Sequence, residues 1–158
     1  MKVKININNG MVAKITPALI ALTAVIAPII QSKTVTIIGA HQTGSFGDII
    51  VNHLPWTDHG KISWWMHHRD EISEKYKIPH RDENGIYHVM IWSFGDGYKE
   101  EDDKDRLCFE DMTATQRCIE KNALLLISSS RNRGLVIESR GASYRIEADG
   151  SVTRLRNL

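Results

Sequence analysis

The segment Ile15 to Gln31, ITPALIALTAVIAPIIQ, runs for 17 residues without a charge, and Met11 to Ala13 extend its apolar character beyond Lys14. As a helix it covers roughly 25 Å, or about 31 Å with residues 11–14 included, at about 1.5 Å per residue. The hydrocarbon core of a bilayer needs about 30 Å. Lys14 is no obstacle, because its long stem can carry the ammonium back to the headgroups. Pro28 near the other end is tolerated in a spanning helix. Residues 11–31 are therefore read as a single transmembrane anchor helix. Lys2, Lys4 and Lys14 precede it, whereas only Lys33 lies close after it. The positive-inside bias then makes residues 1–10 a cytoplasmic tail and places residues 34–158 on the opposite side.

Two other readings compete. A cleaved signal peptide has the same charge order, but its apolar core is shorter, about 7–15 residues, and ends in small residues as A-x-A. Here the nearest substitute, Val25-Ile26-Ala27, is followed by Pro28. A soluble core helix would need a polar face, and this segment offers only threonines. Ala18, Ala21, Ala24 and Ala27 recur every third residue. Such a stripe would suit a close-packed partner helix, but alanine is common in spans of any kind.

The 125 residues after Lys33 suffice for one domain with a core of its own. The first 33 residues hold four lysines and no acid, which leaves the remainder 16 basic and 19 acidic residues, net −3. That balance argues against a nucleic-acid partner. The charge is uneven: Asp96 to Asp111 holds eight acids, and the segment from Arg131 onward holds six arginines. Ordinary solvated faces are the default explanation, with two alternatives beside it: the two regions facing one another, or a two-signed surface for a partner. The two cysteines, Cys108 and Cys118, are expected to join in an oxidising compartment.

The fold class expected is α+β: one N-terminal transmembrane helix, then a small domain with one main helix packed on an antiparallel sheet. Val35 to His41 and Gly47 to His53 read as a hairpin around a turn at Gln42–Ser45. Thr57 or Asp58 caps a helix reaching about Tyr76, with Ile62, Trp65, Met66, Arg69, Ile72 and Tyr76 on its inner face and Trp64 on the flank. Ile78-Pro79 ends it. Asn84-Gly85 turns into Ile86 to Trp92, a central strand apolar on both faces. Arg106 to Phe109 reads as a short strand. Asn122–Ser129, Leu135–Ser139, Ser143–Glu147 and Val152–Leu155, separated by glycine turns, form an antiparallel meander.

Three segments together are familiar: GDIIVNHLPWTDHGKISWWMHHRDEISEKYKIP, IWSFGDGYKEEDDKDRLCFEDM and CIEKNALLLISSS. Across residues 33–130 the chain resembles the enterobacterial putative membrane protein family, a family of unknown function. The most specific parts are the tryptophan-bearing helix ending in Lys-Tyr-Lys-Ile-Pro and the turn Phe-Gly-Asp-Gly-Tyr. The resemblance implies an envelope location and a membrane anchor. It supplies no activity, substrate or catalytic residue, and nothing is carried to the arginine-rich end.

Little catalytic chemistry is visible. His67 and His68 are neighbours on a helix and point about 100° apart. The sequence has no H-E-x-x-H motif, and Glu100 to Asp103 lacks the spacing of a calcium loop. Ser128 to Ser130 lacks the G-x-S-x-G elbow. The expectation is therefore a non-enzymatic protein of the bacterial inner membrane with no cofactor or metal. Its periplasmic domain binds a protein partner, and an immunity protein against a periplasm-acting toxin is one concrete form. An accessory subunit of an envelope complex is the alternative, followed by a small envelope hydrolase. The candidate partner surface comprises Trp64, Asp102, Asp103 and Asp105; the candidate disulfide is Cys108–Cys118.

Overall fold

The computed structural model describes residues 34–156. The expected cytoplasmic tail at 1–10 and span at 11–31 lie outside the described residues. Among the described residues no helix is long and apolar enough to cross a membrane.

The chain opens with the expected hairpin, β1 (Ile37–Thr43) against β2 (Phe46–Val51). The helix follows as α1, Asp58–Tyr76. Thr57 caps it by accepting the N–H of Gly60, and Asp58 puts an acid in its positive first turn. It ends at Lys77, which is in the left-handed conformation and returns its N–H to the Ser73 carbonyl. The central strand is β3, Tyr87–Ser93. Three short strands come next: β4 (Lys99–Glu100), β5 (Arg106–Cys108) and β6 (Gln116–Glu120). The meander closes the chain as β7 (Ala123–Ser130), β8 (Gly134–Ser139), β9 (Ala142–Ile146) and β10 (Val152–Leu155).

The main sheet has seven strands in the order β1-β2-β3-β7-β8-β9-β10. One pair corrects the expectation of a purely antiparallel sheet: β2 and β3 run parallel, with Ile49 opposite Ile91. Antiparallel neighbours can be joined by a tight turn, whereas a parallel pair needs a long crossover. Here α1 is that crossover, so it lies over the sheet it connects. The run of apolar residues on both faces of β3 fits a strand buried from two sides. Toward α1, Tyr87, Val89 and Ile91 are buried in one core with Trp65, Ile72 and Leu125. On the opposite face, the three-stranded sheet β4-β6-β5 packs Phe109 and Ile119 onto Ile50, with Trp92 and Tyr98 at the margin. Gly39 in β1 allows the close approach, since a β-carbon there would come within 2.5 Å of the Tyr98 hydroxyl oxygen.

The inner face of α1 is rotated from the expected one. Lys61 and Trp64 are buried with Ile62, Trp65 and Ile72, while Met66 and Tyr76 pack at the edge of the core. A hydrophobicity pattern assigns lysine to solvent, so it misses a lysine drawn inward by hydrogen-bond acceptors.

Candidate functional site

The N-terminus of α1 is held to the meander by a polar cluster. Lys61, 4% exposed, donates to the Ser139 hydroxyl at 3.0 Å and to the Leu124 carbonyl at 3.3 Å. Ser139 donates to Asp58 Oδ1, and the Tyr144 hydroxyl donates to Asp58 Oδ2, both at 2.8 Å. Burial would raise the pKa of Asp58, but the hydrogen bonds from Tyr144 and Ser139 and the charges of Lys61 and Arg140 bring it below the ordinary aspartate value. Burial and the nearby Arg140 push Lys61 down, against the pull of Asp58. A serine beside a lysine is a nucleophile and base in type. Ser139, however, is 3% exposed and gives its proton to Asp58, so no reacting carbonyl can approach it. This cluster clamps the helix to β8 and β9.

A second polar group joins the two sheets. His41 on β1 contacts both carboxylate oxygens of Asp111 through Nδ1 at 2.8 Å and stacks on Phe109 at 3.9 Å. Below it, Trp92 donates its indole N–H to Asp48 at 2.7 Å. Burial raises the pKa of Asp48, and the Trp92 bond and the nearby His41 only partly offset this.

The cysteines are joined, Cys108 on β5 to Cys118 directly across on β6. Among the described residues, the potential metal ligands close enough to share an ion are Glu101, Cys108 and Cys118. Two of the three are the sulfurs of that disulfide, which offers no thiolate to a metal. Of the expected partner surface, Trp64 must be corrected. It is 9% exposed, stacks on His68 and belongs to the main core, because α1 lies flat on a wide sheet and buries more than one stripe. Asp102, Asp103 and Asp105 are exposed. Asp102 pairs with Arg106 at 2.6 Å, and Asp105 pairs with Lys121. The neighbouring acids are also held locally, Glu101 by Arg117 and Glu120 by Arg106 and Lys99. Glu101, Asp102 and Asp105 thus pair with basic residues in and beside the small sheet, not with the arginines after residue 131.

The surface that stands out lies elsewhere. Trp56, in the break between β2 and α1, is 77% exposed, and the guanidinium of Arg140 lies 5.9 Å from its ring centroid. Arg140 and Gly141 form the two-residue turn between β8 and β9, both at positive φ, 49° and 78°. A turn of this kind favours asparagine or glycine at its first position, so arginine there is held against its backbone preference. Sequence periodicity cannot find Trp56, because it sits in no regular element. The available signal is its setting: a tryptophan between Pro55 and the helix cap has no helical or strand face to bury it.

A family model described as "Enterobacterial putative membrane protein" matches residues 8–156. The chain belongs to that family. The match runs past residue 130, so the arginine-bearing meander of this family member lies within the matched region, as does the whole apolar segment 11–31. No curated protein and no solved structure is detectably similar to it.

Proposed function

We propose that this family member is a binding protein tethered to the bacterial inner membrane, with residues 34–158 in the periplasm and a protein as its partner. The lysine distribution around residues 11–31, the family's printed description as an "Enterobacterial putative membrane protein" and the Cys108–Cys118 bond support the location. The observation that carries the binding role is the exposed Trp56 under Arg140. Tryptophan and arginine dominate the energetically important positions of protein interfaces. A large ring left in water is unfavourable for the isolated domain, and a partner that covers it recovers that free energy. An immunity protein that blocks a periplasm-acting toxin is the concrete form proposed, with a stable subunit of an envelope complex as the alternative.

The test is a pull-down of the full-length protein from detergent-solubilised envelopes, comparing wild type with Trp56→Ala and Arg140→Asn. The expected result is one specific partner, lost from both variants while their melting temperatures stay at or above that of wild type. Asparagine suits the turn better than arginine, so a loss of binding in Arg140→Asn is not a loss of folding. Equal retention by all three proteins would overturn the role given to this pair. A partner resident in unchallenged cells favours the subunit, and one present only when a toxin is supplied favours immunity.

A further inference from the structure

The main sheet ends at β10, which pairs with β9 alone, in continuous register from Val152 opposite Ile146 to Leu155 opposite Ser143. Among the described residues nothing pairs with its outer side, so alternate backbone N–H and C=O groups point away from the sheet. The opposite edge, β1, is different because its register shifts between Ile37 and Gly39, and a bulge of this kind hinders the addition of a strand. Beside the regular edge runs a groove of about 480 Å³ between α1 and β10. Ile62, Met66 and Val152 supply its apolar lining; His59, His67 and Arg154 supply its polar one, and no carboxylate lines it. Val152 is 43% exposed, and Arg154 is exposed with no ion-pair partner among the described residues.

Resting on the protein-binding function above, we propose that the partner adds an extended acidic segment to β10 as an eighth, antiparallel strand. Val152 and Arg154 are two apart and both line the groove, so they share one face of β10. In an antiparallel neighbour, the residue opposite Arg154 comes first and the one opposite Val152 follows two later. The recognised pattern is therefore a carboxylate, any residue, then a bulky aliphatic side chain that enters the groove against Met66. Backbone pairing supplies affinity, and the alternate side chains supply specificity. A second copy of this chain fits poorly, because pairing two such edges would crowd Arg154 and Arg156 of one against those of the other.

The test uses full-length protein in mild detergent and three fluorescein-labelled eight-residue peptides, read by anisotropy. One alternates glutamate and isoleucine on a single face, the second has lysine for glutamate, and the third is the first with its alternate amides N-methylated. The glutamate peptide is expected to bind, and the other two to bind at least roughly ten-fold more weakly, the scale of one good interaction. Arg154→Glu is expected to reverse the preference toward the lysine peptide, and Arg154→Gln to abolish it; both replace an exposed side chain. Three results would overturn the proposal: equal binding of the N-methylated peptide, an unchanged charge preference in Arg154→Glu, or self-association that the glutamate peptide reverses. If no peptide binds but Trp56→Ala still loses the envelope partner, the binding function stands and the added strand does not.

Discussion

The ammonium of Lys61 lies 3.0 Å from the hydroxyl of Ser139, a residue 78 positions further along the chain. This contact ties the first turn of the crossover helix to the meander and leaves a charged group 4% exposed. Removing the lysine leaves the Ser139 and Leu124 oxygens without their donor. Lys61→Met is expected to lower stability by about 2–3 kcal/mol, the cost of orphaning buried polar partners. Removing the hydroxyl as well leaves one fewer unpaired atom, so Lys61→Met with Ser139→Ala should cost less than the sum of the singles. Denaturation of the four proteins, followed by near-ultraviolet circular dichroism, measures this coupling; strict additivity would show that the pair does not interact.

Trp64 and Trp56 are eight residues apart and make opposite predictions. Trp64 is packed into the main core, and truncating a tryptophan in such a site costs about 3–5 kcal/mol. Trp56 is 77% exposed, so Trp56→Ala should change stability by less than about 0.5 kcal/mol. Acrylamide quenching in single-tryptophan-deletion variants gives an independent check. Deleting Trp56 should remove the most quenchable part of the emission, and deleting Trp64 should not.

Much of this architecture is legible in the residues. The helix at Asp58–Tyr76 has its cap at Thr57 and its stop before Pro79, and the last strand coincides with Val152–Leu155. Glycine turns mark the meander because their positive φ is needed there, as at Gly134, Gly141 and Gly150. Other features were hidden for physical reasons. β4 and β6, Lys99–Glu100 and Gln116–Glu120, are short and mostly polar, and they form strands through the pairing of Cys118 with Cys108 and of Arg106 with Glu120. The parallel β2–β3 pair is a statement about distant strands that local alternation cannot make. In the candidate site, the buried Lys61 and the exposed Trp56 both run against hydropathy, so a pattern built on hydropathy passes over the two most informative positions.

The Cys108–Cys118 bond joins residues 10 positions apart in the small sheet, whose core is Ile50, Phe109 and Ile119. A core that small depends on its cross-link. The chain-entropy account gives a loop of this size roughly 3 kcal/mol. Cys108→Ser with Cys118→Ser should therefore speed amide exchange across β4, β5 and β6, while β7 and β8 keep their protection. The same pair tests the compartment. Protein extracted from envelopes under acid quench should resist thiol alkylation until it is reduced. Free thiols in that extract, together with a carboxy-terminal alkaline phosphatase fusion that stays inactive, would place the domain in the cytoplasm instead.

Asp48 is half-buried beneath the small sheet, and its only hydrogen-bond donor among the described side chains is the indole of Trp92. Burial raises its pKa in the folded chain above the unfolded value of about 3.9, since Trp92 and His41 only partly offset the loss of water. Between those two values the folded state binds more protons than the unfolded one. Stability therefore falls as pH rises through that window, then stays at the lower level once both states are ionised. Asparagine keeps an oxygen for the Trp92 N–H but does not titrate. Asp48→Asn is thus expected to melt at a higher temperature than wild type at neutral pH, with the difference shrinking as pH falls through the window and vanishing below it. Melting curves of both proteins from pH 7 down to pH 3 check the sign. A variant less stable than wild type at pH 7 would mean that the ionised carboxylate, through His41, holds the two sheets together more strongly than its burial pushes them apart.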